Sequence, residues 1–170
     1  MVNCLGLVAC PEPASLKVVS LPQPGGCACG AVRYRLNAAP LLAFVCHCRD
    51  CQTRTGSAFS LTLVIRGADF RHDGPVEPLR RKTRSGREVK DGHCARCRAP
   101  VFARALLAPD FMSLRAGTLE DASWVAPIVQ TFVDRAIPWA VIPGVRSVPW
   151  NGFDYVALGR EWAATAPRFA

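Results

Sequence analysis

No apolar run in this 170-residue chain comes near the roughly 18 residues that a membrane-spanning helix requires. The longest, residues 41–46 and 61–65, are strand-sized, so no helical span is expected. Residues 7–10, Leu7-Val8-Ala9-Cys10, superficially resemble a lipoprotein cleavage box. No Lys or Arg precedes them and the apolar stretch is too short for a signal peptide, so a cytoplasmic location is expected. Long amphipathic helices, internal repeats and low-complexity blocks are missing as well. Acidic residues are few, 13 against 21 Lys and Arg, for a formal net charge of +8. What remains is half hydrophobic and one-fifth charged, a globular composition of about single-domain length.

Cysteine, in contrast, is plentiful: nine residues, of which seven form three tight groups, Cys27-x-Cys29, Cys46-x-Cys48-x-x-Cys51 and Cys94-x-x-Cys97. A disulfide framework reads poorly on an odd count, and neighbours in C-x-C cannot easily pair with each other. A thioredoxin-type motif also fails, because Cys94 and Cys97 do not open an apolar helix. Zinc suits the spacing. A tetrahedral ion takes thiolates, and short Cys-x-x-Cys turns place two sulfurs on one side of it. Seven thiolates and two divalent cations remove three units of positive charge and leave +5. Cys4 and Cys10 stand apart and are read as free thiols.

Pattern along the chain predicts strands at 31–36, 41–45, 57–65, 101–106, 112–116, 128–133 and 139–142, with hairpin arms at 76–82 and 87–90 around Ser85-Gly86. A short helical turn is predicted at 50–55, stopped by Gly56, and one helix near 155–164. The division expected is a flexible extension at 1–24, a zinc-binding domain at 25–150 and a tail at 151–170. The fold class is mostly β, pinned by metal, with few short helices.

Two further blocks sharpen this reading. Gly26-Cys27-Ala28-Cys29-Gly30-Ala31-Val32-Arg33-Tyr34, the run from Cys46-His47-Cys48-Arg49-Asp50-Cys51 to Gly56-Ser57-Ala58-Phe59, Cys94-Ala95-Arg96-Cys97, and Ala116-Gly117-Thr118-Leu119-Glu120-Asp121 follow one another in order. Together they resemble the glutathione-dependent formaldehyde-activating enzyme family, which also includes centromere protein V. The resemblance spans about residues 25–143. It implies a β-tent fold of coiled antiparallel sheets and two zinc ions per chain, a structural one held by Cys27, Cys29, Cys94 and Cys97 and a second held by Cys46, Cys48 and Cys51. The spacing agrees: two pairs complete four ligands, and the triplet is one short, as in zinc sites that handle substrate. Two departures stand out. Arg98-Ala99 replaces the family's Gly-Thr after the last Cys-x-x-Cys, and Gln130 takes the place of a late histidine.

The activity the resemblance implies is that of a carbon–sulfur lyase joining a thiol, glutathione in the family, to formaldehyde or a related small aldehyde as an S-hydroxymethyl adduct. Cys46, Cys48 and Cys51 would act through their open zinc. Gln52, Arg54 and Ser57 lie beside the triplet in sequence and are candidates to contact a carboxylate of the thiol. The alternative is a non-catalytic zinc module that binds a protein or nucleic acid. Its candidate surface is the run from Arg80 to Arg87, which lacks interleaved aromatics and is read as a solvated hairpin tip, so nucleic acid is not expected as a partner. Trp124, Trp139, Trp150 and Trp162 are expected to pack in the core or at its edge, and His72 to sit in an exposed loop.

Overall fold

Alternation of apolar and charged side chains sets the first strands. Val32, Tyr34 and Leu36 are buried, while Arg33 and Arg35 between them are exposed, as a strand with one covered face requires. The computed structural model describes residues 17–149 and 154–170. Cys4, Cys10 and Trp150, with the predictions made for them, lie outside the described residues.

The strands are β1 (Val18–Val19), β2 (Gln23–Gly26), β3 (Arg33–Leu36), β4 (Leu42–Cys46), β5 (Ser60–Arg66), β6 (Phe70–Asp73), β7 (Val76–Lys82), β8 (Glu88–Cys94), β9 (Pro100–Ala105), β10 (Phe111–Arg115), β11 (Val129–Thr131), β12 (Arg146–Val148) and β13 (Arg168–Phe169). Two α-helices, α1 (Arg49–Thr55) and α2 (Tyr155–Thr165), complete a mostly β chain. Eight strands form one sheet in the order β12-β11-β4-β5-β10-β9-β8-β7, beside a three-stranded sheet β2-β3-β6 and the pair β1-β13. The sheets are not purely antiparallel as expected: β11 runs parallel to both β4 and β12, and β1 parallel to β13. No helix among the described residues is long and apolar enough to cross a membrane.

The large sheet has two unlike faces. One carries Ala43, Leu63, Ile65 and Leu114, all fully buried in one core with Val32, Tyr34 and Leu36, and the equally buried Val45. On the other, register lays out two polar rows across neighbouring strands: Thr131–Cys46–Ser60, and Phe44–Thr62–Arg115. Ser60 and Thr62 are also buried, so this second face is covered as well. It is the face that matters for function.

Several expectations are corrected. Residues 139–142 are not a strand. Pro138 has no N–H for a ladder and begins a 3-10 turn, Pro138–Ala140, which leaves Trp139 78% exposed and not packed. Trp124 and Trp162, in contrast, are core residues. His72 is exposed but lies on β6, paired with Tyr34. Segments placed outside the domain pack against it: β1 and the first residues of β2 lie in the supposed extension, and the supposed tail holds α2, whose Leu158 and Trp162 are buried. Asp154 caps α2 by accepting from the N–H groups of Val156 and Ala157.

Candidate functional site

Cys27 and Cys29 sit just past β2, on a turn where the Cys27 N–H donates to Val32 O at 3.0 Å and Gly30 takes φ +75°. Cys94 ends β8, and its N–H likewise donates to Ala99 O at 3.0 Å, folding Cys97 back beside it. The two turns face each other, and all four sulfurs lie within 4.8 Å of one another. Cys27 Sγ is 3.5 Å from Cys29 Sγ, which is 3.8 Å from Cys94 Sγ. Ligands at about 2.3 Å around a tetrahedral ion would stand about 3.8 Å apart, so the four sulfurs fit such an ion. The Val32 N–H also donates to Cys27 Sγ at 3.2 Å. Burial works against the Cys27 thiolate, but that N–H and the neighbouring thiols bring its pKa down to about 6.

The second group is built by a strand end and a helix start. Cys46 closes β4, Cys48 is the N-cap of α1, and Cys51 lies one turn in, with its N–H donating to Cys48 Sγ at 3.4 Å. Their three sulfurs lie within 4.8 Å of one another, and no histidine, carboxylate or further cysteine among the described residues joins them. The Cys46 and Cys51 thiols hydrogen-bond to Cys48 and hold its pKa down to about 2. Hydrogen bonds to Cys46 and Cys48, together with burial, push Cys51 up. His47 points away from the triplet, as alternation requires of the residue that follows Cys46 at the end of β4. It is fully buried on the opposite face, its Nε2 3.2 Å from Gln130 Oε1 and its ring edge-on to Phe59.

The triplet opens on a cavity of about 200 Å³ whose floor is the polar face of the large sheet. Six arginines line it: Arg49, Arg81, Arg84, Arg87, Arg115 and Arg135. Three of them come from the β7–β8 hairpin, which is no free tip. The Arg84 N–H donates to Asp50 Oδ2 at 2.9 Å and its Nε lies 3.2 Å from Asp50 Oδ1, which ties the turn to α1. Arg81 is anchored to Asp91, a fully buried carboxylate that Arg54 also meets at 3.0 Å. Strand alternation puts Arg80 and Lys82 on the other face of β7, so the basic run is split in two.

The sequence profile of the glutathione-dependent formaldehyde-activating enzyme family matches residues 22–135, two-thirds of the chain and all seven clustered cysteines. The chain belongs to that family. No curated protein matches it. A crystal structure of a Rhodobacter sphaeroides protein is similar at 19% identity, with a TM-score of 0.47 over 74% of this chain and 98% of that one.

Against the family pattern, the two departures acquire structural meaning. Arg98 stands where the resemblance implies a glycine, and its φ is +62°, the left-handed region that favours glycine. Gln130 is fully buried on the core face of β11, where it braces the chain: Oε1 accepts from Ile142 N–H at 2.9 Å, and Nε2 donates to Ile142 O and Val145 O. It does not line the cavity.

None of Gln52, Arg54 and Ser57 lines the cavity that the triplet opens on. Gln52 is buried and structural: its Nε2 donates to His47 O at 2.6 Å and Arg135 O at 2.9 Å. Arg54 turns to Asp91, and Ser57 is exposed just past the end of α1. A helix sends side chains round its axis, and adjacency in sequence to Cys51 did not decide the face. The cavity arginines were missed, although the run at 80–87 was conspicuous, because hairpin register decides where such a run points.

Proposed function

We propose that the chain joins a small anionic thiol, glutathione or a close analogue, to formaldehyde or a related small aldehyde, giving an S-hydroxymethyl adduct, and that it runs the reverse cleavage. The observation that carries this reading is the cysteine triplet: three sulfurs, no fourth protein donor, and an arginine-lined cavity in front of them. In this reading Cys27, Cys29, Cys94 and Cys97 hold a structural zinc, and Cys46, Cys48 and Cys51 hold a second one. A zinc ion with three thiolate ligands keeps an added sulfur in its thiolate form at neutral pH. The protein's own residues do the rest. Arg84 and Arg87, exposed at the rim, attract the carboxylates of the incoming thiol. Phe44, Thr62 and Thr131 shape the floor and limit the aldehyde to a small one. Seven thiols that form no disulfide suit a reducing, cytoplasmic setting.

The test is metal analysis of the purified chain, followed by NMR of its mixture with glutathione and ¹³C-formaldehyde. Two zinc ions per chain and adduct exchange faster than in the protein-free mixture are expected. Two zinc ions with neither thiol binding nor faster exchange would leave the non-catalytic module as the better reading.

A further inference from the structure

Arg115 is the anomaly of the cavity. It ends β10, lines the cavity floor and is 9% exposed. Its Nη1 donates to Ser60 Oγ at 2.7 Å, yet its Nε is buried with no partner. It forms no ion pair among the described residues. The buried carboxylate of this region, Asp91, is engaged by Arg54 and Arg81, and the field of Arg115 also reaches Arg54. Three guanidiniums within reach of one another's fields share one buried carboxylate, which leaves positive charge without a counter-ion. Keeping a desolvated cation unpaired is costly, and the cost is recovered when an anion arrives.

Position says which anion. Ser60, which Arg115 grips, stands directly across from Cys46 in the β4–β5 register. The guanidinium thus lies about one strand spacing, roughly 5 Å, from the strand that delivers the triplet. An oxygen one carbon away from the reacting sulfur can reach it. The carboxylates of a peptide-like thiol lie many bonds farther out, where the rim arginines are. We propose, on the basis of the function proposed above, that Arg115 is a catalytic residue that binds the aldehyde oxygen. As the thiolate sulfur bonds to the carbonyl carbon, the C=O π bond breaks and its electron pair moves to oxygen beside the cavity-lining edge of the Arg115 guanidinium. That oxygen then takes a proton from water, and the thiol proton released on binding restores the balance. In reverse, Arg115 stabilises the alkoxide from which formaldehyde departs. Ser60 is a positioning residue that fixes the guanidinium plane.

The experiment compares the metal-loaded protein with Arg115→Lys, Arg115→Met and Ser60→Ala. Three quantities are read: metal content, glutathione affinity by calorimetry, and the rate of adduct exchange by NMR. Removing one preorganised oxyanion donor typically costs about 10²–10³ in rate. Arg115→Met is expected to lose that much while keeping two metal ions and unchanged glutathione affinity, with Ser60→Ala in between. Formate, as small as formaldehyde and charged on oxygen, is the second probe. It is expected to inhibit the wild type in competition with formaldehyde and to weaken at least tenfold against Arg115→Lys, which retains the charge but lacks the planar guanidinium fork. A fall in glutathione affinity instead of rate would assign the anion to a thiol carboxylate and overturn the proposal, as would variants that exchange adduct at wild-type speed. A wild type that loads two metals and shows no exchange fails the parent reading, an outcome separate from these.

Discussion

Gln130 shows how a single side chain can hold a region together without touching the chemistry. Its amide bridges β11 to the segment at 142–147 and meets His47 behind the triplet. Gln130→Leu keeps the volume but strands the Ile142 N–H and the His47 ring, so it should cost about 2–4 kcal/mol of stability in denaturant unfolding. Metal content and glutathione affinity should stay unchanged, since the side chain faces away from the cavity. Asp91 makes the complementary case. Asp91→Asn removes the one buried carboxylate from a group of arginines that are only 17% and 21% exposed. A loss of about 3 kcal/mol is expected, from cations left uncompensated, and thermal unfolding under matched salt checks it.

At the scale of elements, the turn after Cys97 invites substitution toward the family pattern. Arg98 holds a left-handed conformation that costs a non-glycine residue about 1–2 kcal/mol, partly offset by the greater freedom glycine loses on folding. Its ion pair with Glu77 is solvent-exposed on both sides and adds little. Arg98→Gly should therefore stabilise the chain by about 1 kcal/mol or less, visible as a raised urea midpoint with an unchanged slope. The β7–β8 hairpin makes a different prediction. Arg84→Ala with Arg87→Ala should weaken glutathione binding severalfold, and the remaining affinity should depend less on ionic strength. If the double variant bound glutathione like the wild type, the rim would have no part in recognition. Much of this scale was legible beforehand. The short helix stopped at Gly56, the hairpin around Ser85-Gly86 and helix α2 stand close to where periodicity put them. Strands of two or three residues, β1, β12 and β13, were not, because so few residues carry no period.

For the molecule as a whole, the two cysteine groups should differ in what their loss does. Cys29→Ser breaks the four-sulfur group that joins β2 to the end of β8, so the domain should unfold or lose cooperativity, because binding energy at such a site is folding energy. Cys51→Ser touches only the triplet and should yield a folded chain short of one metal ion. Circular dichroism with metal analysis separates the cases, and an unfolded Cys51→Ser protein would contradict the division of labour. The sequence by itself determined the cysteine groups, the family and the mostly β character, because ligand spacing and strand alternation are local properties of a chain. Only the tertiary structure decided which charges face the triplet. Arg81, Arg84 and Arg87 arrive on the β7–β8 hairpin and Arg115 on β10, all far along the chain from Cys46–Cys51, and their meeting with the triplet depends on strand order, register and face. A one-residue slip in register turns every side chain of a strand to the other side. No local pattern encodes that choice, which is why Gln52 and Arg54, neighbours of Cys51 along the chain, lie away from the cavity while Arg115, distant in sequence, forms its floor.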